Sequence, residues 1–211
     1  MKTKALLTAT IIGLSALLVW LSAFWEPITP KRVTEVPTHN RLAASGQAQG
    51  GDFTLQGPNG PVSLKDFRGK VVLLYFGYTF CPDVCPTSLS LMARALSALT
   101  PAEVERVQGI FVSVDPERDT VKILKAYAPF FHPRIVGITG TPEQVATVAR
   151  LYGASYAKQP PNAEGLYTVD HSSVTYVIDT EGKVNARLPH ASPVRQIVEA
   201  VRPLLAAKTG G

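Results

Sequence analysis

Two cysteines are the whole thiol content of a chain of 211 residues, and they lie four positions apart in YFGYTFCPDVCPTSL, residues 75 to 89. The motif Cys81-Pro82-Asp83-Val84-Cys85 is one residue wider than the C-x-x-C of thioredoxin-type redox proteins. Three chemistries fit it: a structural disulfide, a dithiol–disulfide couple and a metal clamp. A bridge closing so short a loop adds little stability, because the gain grows with loop length. The other two both use the thiolate, and the spacing does not separate them. Pro86 suits the first position of a helix, so the Cys85 sulfur is expected near that helix's positive end, which favours the thiolate while Asp83 opposes it.

A third ligand would favour the clamp, and the chain has four histidines. His39 sits in a proline-rich stretch, His132 follows Phe130-Phe131, and His190 lies beyond a strand; these read as surface or packing residues. His171 differs, because Asp170-His171-Ser172 stands just ahead of the apolar run SVTYVID. Two thiolates and one imidazole form a soft, low-coordinate set that suits Cu(I), whereas zinc normally takes a fourth ligand. Met92 offers a fourth soft donor, but it lies on the apolar stripe of its helix and reads as core. In DPERDT, residues 115 to 120, Asp115, Glu117, Arg118 and Asp119 read as caps and ion pairs, with Asp115 the exception because it ends a strand near the cysteines. Asp170 is a candidate to orient or charge-balance His171.

The elements that must position these residues follow from periodicity. FTL (53–55) and VSL (62–64) flank the turn GPNG as a short hairpin. KVVLLYFG (70–77) and VQGIFVSV (107–114) are continuous apolar runs of strand length, as expected of strands buried on both faces. A helix from Pro86 repeats Leu89, Met92, Leu96 and Leu99 and ends at Thr100-Pro101; a second runs from DPERDT to Ala128. RIVGIT (134–139) is a short strand, and TPEQVATVARLY (141–152) is a helix capped by Thr141. SVTYVID (173–179) and KVNARL (183–188) form a hairpin, and residues 192–205 a closing helix. Strands alternating with helices predict an α/β domain with an open mixed sheet and a site at the carboxyl end of a central strand. The order is that of a thioredoxin-like fold, in which the approach to the SVTYVID strand passes beside the redox cysteines.

Residues 5 to 25 carry no charge and follow Lys2 and Lys4. As a helix of about 1.5 Å rise per residue the segment spans roughly 31 Å, enough for a bilayer. It is longer than a signal-peptide core, and Leu21-Ser22-Ala23 is a poor cleavage site, so the expectation is an uncleaved transmembrane anchor. The flanking lysines place its start in the cytoplasm, although Lys31 and Arg32 follow the span. Residues 26–50, with prolines 27, 30 and 37, are a linker, and the folded domain is expected over 51–207. The formal charge of +5 is spread without a basic run or aromatic interleaving, which excludes nucleic-acid binding as a reading.

YFGYTFCPDVCPTSL, SVDPERDT, VGITGTPEQV and VDHSSVTYVID, in this order behind an apolar span, resemble the Sco/SenC family of copper-binding assembly factors for cytochrome c oxidase. The resemblance covers residues 50–205. It implies a thioredoxin-like domain anchored in the bacterial inner membrane and facing the periplasm, or in the mitochondrial counterpart. It implies copper held by Cys81, Cys85 and His171, as Cu(I) with Cu(II) left open, and a copper donor chaperone upstream. The resemblance further implies that the copper is delivered to the binuclear site of oxidase subunit II, or that Cys81 and Cys85 act as a redox couple that reduces that subunit's cysteines. Where many members have histidine just before the first cysteine, this chain has Phe80.

Overall fold

The computed structural model describes residues 50–206 together with Leu14, Ser15, Leu17, Val19 and Trp20. Those five are helical and exposed. The rest of the expected anchor, and the linker through residue 49, lie outside the described residues. Among the described residues no helix is long and apolar enough to cross a membrane.

The domain opens with the hairpin β1 (Thr54–Gly57) and β2 (Gly60–Ser63), in which Gly60 turns at φ 120°, a conformation natural to glycine. β3 (Val71–Gly77) is buried at every position, as its unbroken apolar sequence requires. Each such side chain contributes roughly 1.5–3 kcal/mol on burial. β3 is the middle strand of a five-stranded sheet in which β4 (Val107–Ser113) and β5 (Ile135–Ile138) extend one side in parallel. β8 (Thr175–Ile178) and β9 (Val184–Leu188) extend the other side antiparallel. The open mixed sheet is therefore the one the alternation of strands and helices predicts.

Helices cover both faces. Phe111 of β4 meets Tyr127 of α3 (Val121–Phe131) on one, while Phe76 of β3 meets Tyr152 of α4 (Pro142–Tyr152) on the other. α1 (Val84–Ser97) packs on α5 (Val194–Ala206), and the single-turn α2 (Pro101–Val104) precedes β4.

The structure differs from the sequence reading in four places. α1 starts at Val84 instead of Pro86, so Pro86 is its third residue. First-turn amides have no intrahelical acceptor, and a proline costs nothing anywhere in that turn. Thr100-Pro101 ends α1 and also starts α2, through a capping box between Thr100 and Glu103. α3 continues past Ala128 to Phe131 with Pro129 inside it. Two short strands were not foreseen, β6 (Tyr156–Lys158) and β7 (Val169–His171), which pair with each other as a separate antiparallel ribbon. His171 ends that ribbon opposite Tyr156.

Candidate metal centre

β3 delivers the chain to the carboxyl end of the sheet at Gly77, and the loop 78–83 carries Cys81 over that end. Cys85 is the second residue of α1, fully buried, while Cys81 is 7% exposed. The Cys85 amide donates to Cys81 Sγ at 3.4 Å, so a free first-turn N–H of the helix already serves the other sulfur. Gly77 makes room for the pair: a Cβ at this position would stand 2.7 Å from Cys85 Sγ and 2.9 Å from the Phe111 ring.

His171 closes the site from the β6–β7 ribbon. Its Nε2 is 3.1 Å from Cys85 Sγ, and the two sulfurs and one imidazole nitrogen all lie within 4.8 Å of one another. Nδ1 lies 3.3 Å from the Ser172 carbonyl, a contact it makes as a donor, which leaves Nε2 facing the sulfurs. Tyr75 and Tyr78 meet the imidazole edge to face, at centroid distances of 6.0 and 5.8 Å. The ring is thus fixed by packing on two sides and a carbonyl on a third.

Neither cysteine is in a disulfide. Cys81 is the acidic member of the pair: hydrogen bonding to the Cys85 thiol, and beyond that to His171, outweighs burial and lowers its pKa to about 4. Cys85 is pushed up, because it shares its proton with Cys81 and is buried. The Tyr75 hydroxyl is raised as well, chiefly by burial and then by the Cys85 charge. One thiolate, one thiol and an imidazole therefore converge before any ion arrives. A metal bonded at about 2.0–2.3 Å to each donor requires the donors within about 4.6 Å of one another. The cluster meets that requirement to within a few tenths of an ångström.

The remaining candidates fall elsewhere. Met92 is fully buried, and its sulfur lies over Gly109 of β4, within the core. Asp170 points away from His171 and accepts from Gln159 Nε2 at 2.7 Å; the Ser172 carbonyl takes the orienting place expected for it. His132 accepts the Arg134 amide, and His190 pairs with Ser88. His39 lies outside the described residues. Phe80, standing just before Cys81, is 59% exposed. Gly77, Tyr75 and Tyr78 were missed as site residues. Their sequence signal was their position in and after the buried strand that ends at the cysteines.

A buried dithiol at a helix start, closed by a histidine at the carboxyl edge of a mixed sheet, defines a thioredoxin-like domain with a soft three-donor centre. The SCO1/SenC family model matches residues 42–206, and the chain belongs to that family. It is 39% identical over 210 residues to the mitochondrial Protein SCO2 homolog of Bos taurus, covering 98% of this chain and 77% of the relative. The crystal structure of Arabidopsis thaliana ScoI with copper bound superposes with a TM-score of 0.69 at 37% identity, covering 74% of this chain and 98% of that one. BsSco, a member of the Sco family of cytochrome c oxidase assembly proteins in which a disulfide switch was identified, superposes with a TM-score of 0.61 at 29% identity. That match covers 76% of this chain and 95% of BsSco.

Proposed function

We propose that this chain is a membrane-anchored copper chaperone. It binds copper through Cys81, Cys85 and His171 and takes part in the assembly of cytochrome c oxidase by supplying the binuclear copper site of subunit II. The observation that carries the reading is the convergence of three soft donors from two separate parts of the chain within 4.8 Å. The copper held by the Arabidopsis relative and the role stated for the BsSco family support it. The donor set selects Cu(I), which accepts low coordination and thiolate ligands. Binding releases the proton that Cys85 retains, and the buried surroundings exclude competing water. Exchange with an acceptor's own soft ligands then moves the ion from site to site. The apolar segment 5–25 supports a single-pass anchor in the bacterial inner membrane, with the domain on the periplasmic side and an upstream copper donor.

The test is anaerobic Cu(I) titration of the reduced full chain in detergent. One equivalent bound per chain, lost in Cys81→Ala and Cys85→Ala and strongly weakened in His171→Ala, supports the reading. Unchanged binding in His171→Ala removes the ligand assignment.

The acidity of Cys81 favours a second activity at the same site. A Cys81 thiolate attacks a partner disulfide, the partner leaves as a thiol, and Cys85 resolves the mixed disulfide, so that two electrons pass to the partner and Cys81–Cys85 becomes the disulfide. A mixed disulfide trapped between Cys85→Ala and oxidised subunit II tests it; absence of that adduct under conditions where the wild type reduces nothing rejects it.

A further inference from the structure

The segment after β4, residues 114–120, touches neither sulfur nor imidazole, yet it is tied to both halves of the centre. Asp119 is fully buried. Its carboxylate accepts the Thr79 amide at 2.9 Å, the Thr79 hydroxyl, and the Ser113 hydroxyl at 2.6 Å. Thr79 is two residues before Cys81, so a single carboxylate pins the cysteine loop to β4.

Asp115, 4% exposed, faces the other half. It accepts the Tyr167 hydroxyl at 2.8 Å and pairs with Arg118 through Nε. Arg118 Nη1 donates to the Tyr167 carbonyl at 2.8 Å, and its guanidinium lies 3.6 Å from the centroid of the Tyr167 ring and 4.8 Å from that of Phe80. Nη2 is buried without a hydrogen-bond acceptor among the described residues, so ring contacts are what it has in exchange for water. Tyr167 leads within two residues into β7, which ends at His171. Asp115 and Arg118 thus grip both ends of one residue, ring hydroxyl and backbone carbonyl, just before the strand that delivers the imidazole.

We propose that this loop is a positioning clamp that sets the separation between the dithiol and His171. Asp119 fixes the cysteine side, and the Asp115–Arg118–Tyr167 unit fixes the histidine side. Two buried carboxylates and a stacked arginine four residues apart on one loop are costly to bury. Here the same five-residue stretch, 115–119, holds two chain segments that share no strand pairing, since among the described residues β7 pairs only with β6. The side chains are therefore positioning residues: Asp119 acts on the cysteine loop, while the hydrogen bonds of Asp115 and Arg118 go to the histidine side and Arg118 makes only ring contacts, with Phe80 and Tyr78, to the cysteine loop. The inference rests on the reading that the centre binds Cu(I).

The experiment is a double-mutant cycle on the reduced full chain, read by Cu(I) competition with a chromophoric chelator and by copper X-ray absorption. Arg118→Met weakens Cu(I) binding about 10-fold in the wild-type background, the scale of lost outer-shell support. It has less than about a 2-fold effect in the His171→Ala background, because its partner is already gone. X-ray absorption of copper-loaded Arg118→Met shows the imidazole contribution diminished and the sulfur contribution intact. Arg118→Lys does not rescue, since an ammonium cannot reach Asp115 and the Tyr167 carbonyl as a planar fork does. Asp119→Asn weakens binding in both backgrounds, because it acts on the sulfurs. Tyr167→Phe removes one hydroxyl and keeps the stack; it shows the same background dependence at smaller amplitude and serves if Arg118→Met does not fold. Equal losses for Arg118→Met or Tyr167→Phe in both backgrounds, or none in either, overturn the clamp alone. A wild-type chain that binds no Cu(I) overturns the copper reading and the clamp together.

Discussion

Cys85 Sγ and His171 Nε2 stand 3.1 Å apart although 86 positions separate them in the chain. One is held by the first turn of α1, the other by the end of a two-stranded ribbon, and the meeting of these elements creates the centre. Removing either side of the contact should therefore cost more than removing any outer support. His171→Ala is expected to lower Cu(I) affinity by more than about 100-fold, beyond the 10–100-fold typical of outer-shell changes. Thermal unfolding of the apo chain should move little, because the imidazole is half-buried and lies outside the main sheet. Chelator competition with parallel thermal melts checks both.

Gly77→Ala separates space from charge. The new methyl would meet the Cys85 sulfur at 2.7 Å and Phe111 at 2.9 Å, so α1 or its cysteine must shift. Overpacking of this kind costs about 1–3 kcal/mol. A fall in melting temperature together with weaker Cu(I) binding is the expected result. Retention of wild-type affinity would show that the sulfur has slack.

The cysteines should differ in reactivity with pH. Hydrogen bonding to Cys85, then to His171, holds the Cys81 pKa at about 4, below the ordinary thiol value. A depressed pKa means that the thiolate persists as pH falls, so alkylation of Cys81 in the native apo chain should stay level from neutral pH down to about pH 5. It should decline only as pH approaches 4. In the unfolded chain the rate should instead fall away below the usual thiol pKa of about 8.5. Cys85→Ala removes the largest cause of the depression and should move the Cys81 profile upward. Mass-resolved alkylation kinetics distinguish these cases.

Met92→Leu is the control for donor count. The sulfur packs over Gly109 in the core, and a volume-conserving exchange of this kind costs less than about 1.5 kcal/mol. Unchanged Cu(I) affinity and an X-ray absorption spectrum with the same sulfur content are expected. Loss of a sulfur would make Met92 a ligand.

Much of this arrangement was readable from residue types and spacing. β3 and β4 declare themselves as unbroken apolar runs, and α4 by the Thr141-Pro142 start, because burial on both faces and end-capping leave strong local signals. His171 was legible as a candidate from its place ahead of SVTYVID. The β6–β7 ribbon was not, since three-residue strands with exposed positions carry no periodicity, and their pairing spans a loop of ten residues. Asp115 stood out as the exception in DPERDT because it ends a strand near the cysteines, but its grip on Tyr167 was hidden, since it joins residues 52 positions apart through side chains. Gly77 carried only a positional signal, the end of the buried strand before the cysteines, because a glycine there usually marks a turn and not a neighbour's sulfur.

The separateness of the β6–β7 ribbon has a kinetic meaning. Its strand pairing is made within itself, so lifting His171 away breaks none of the ladder that joins β3, β4, β5, β8 and β9. The two sulfurs, by contrast, are seated on that ladder's central strand and on the first turn of α1. If copper is held as proposed, unloading would begin at the nitrogen donor, whose movement would open one coordination position while the thiolates retained the ion. On the copper reading proposed above, release of the clamp on Tyr167 would free the histidine latch while the cradle of sulfurs stays in place.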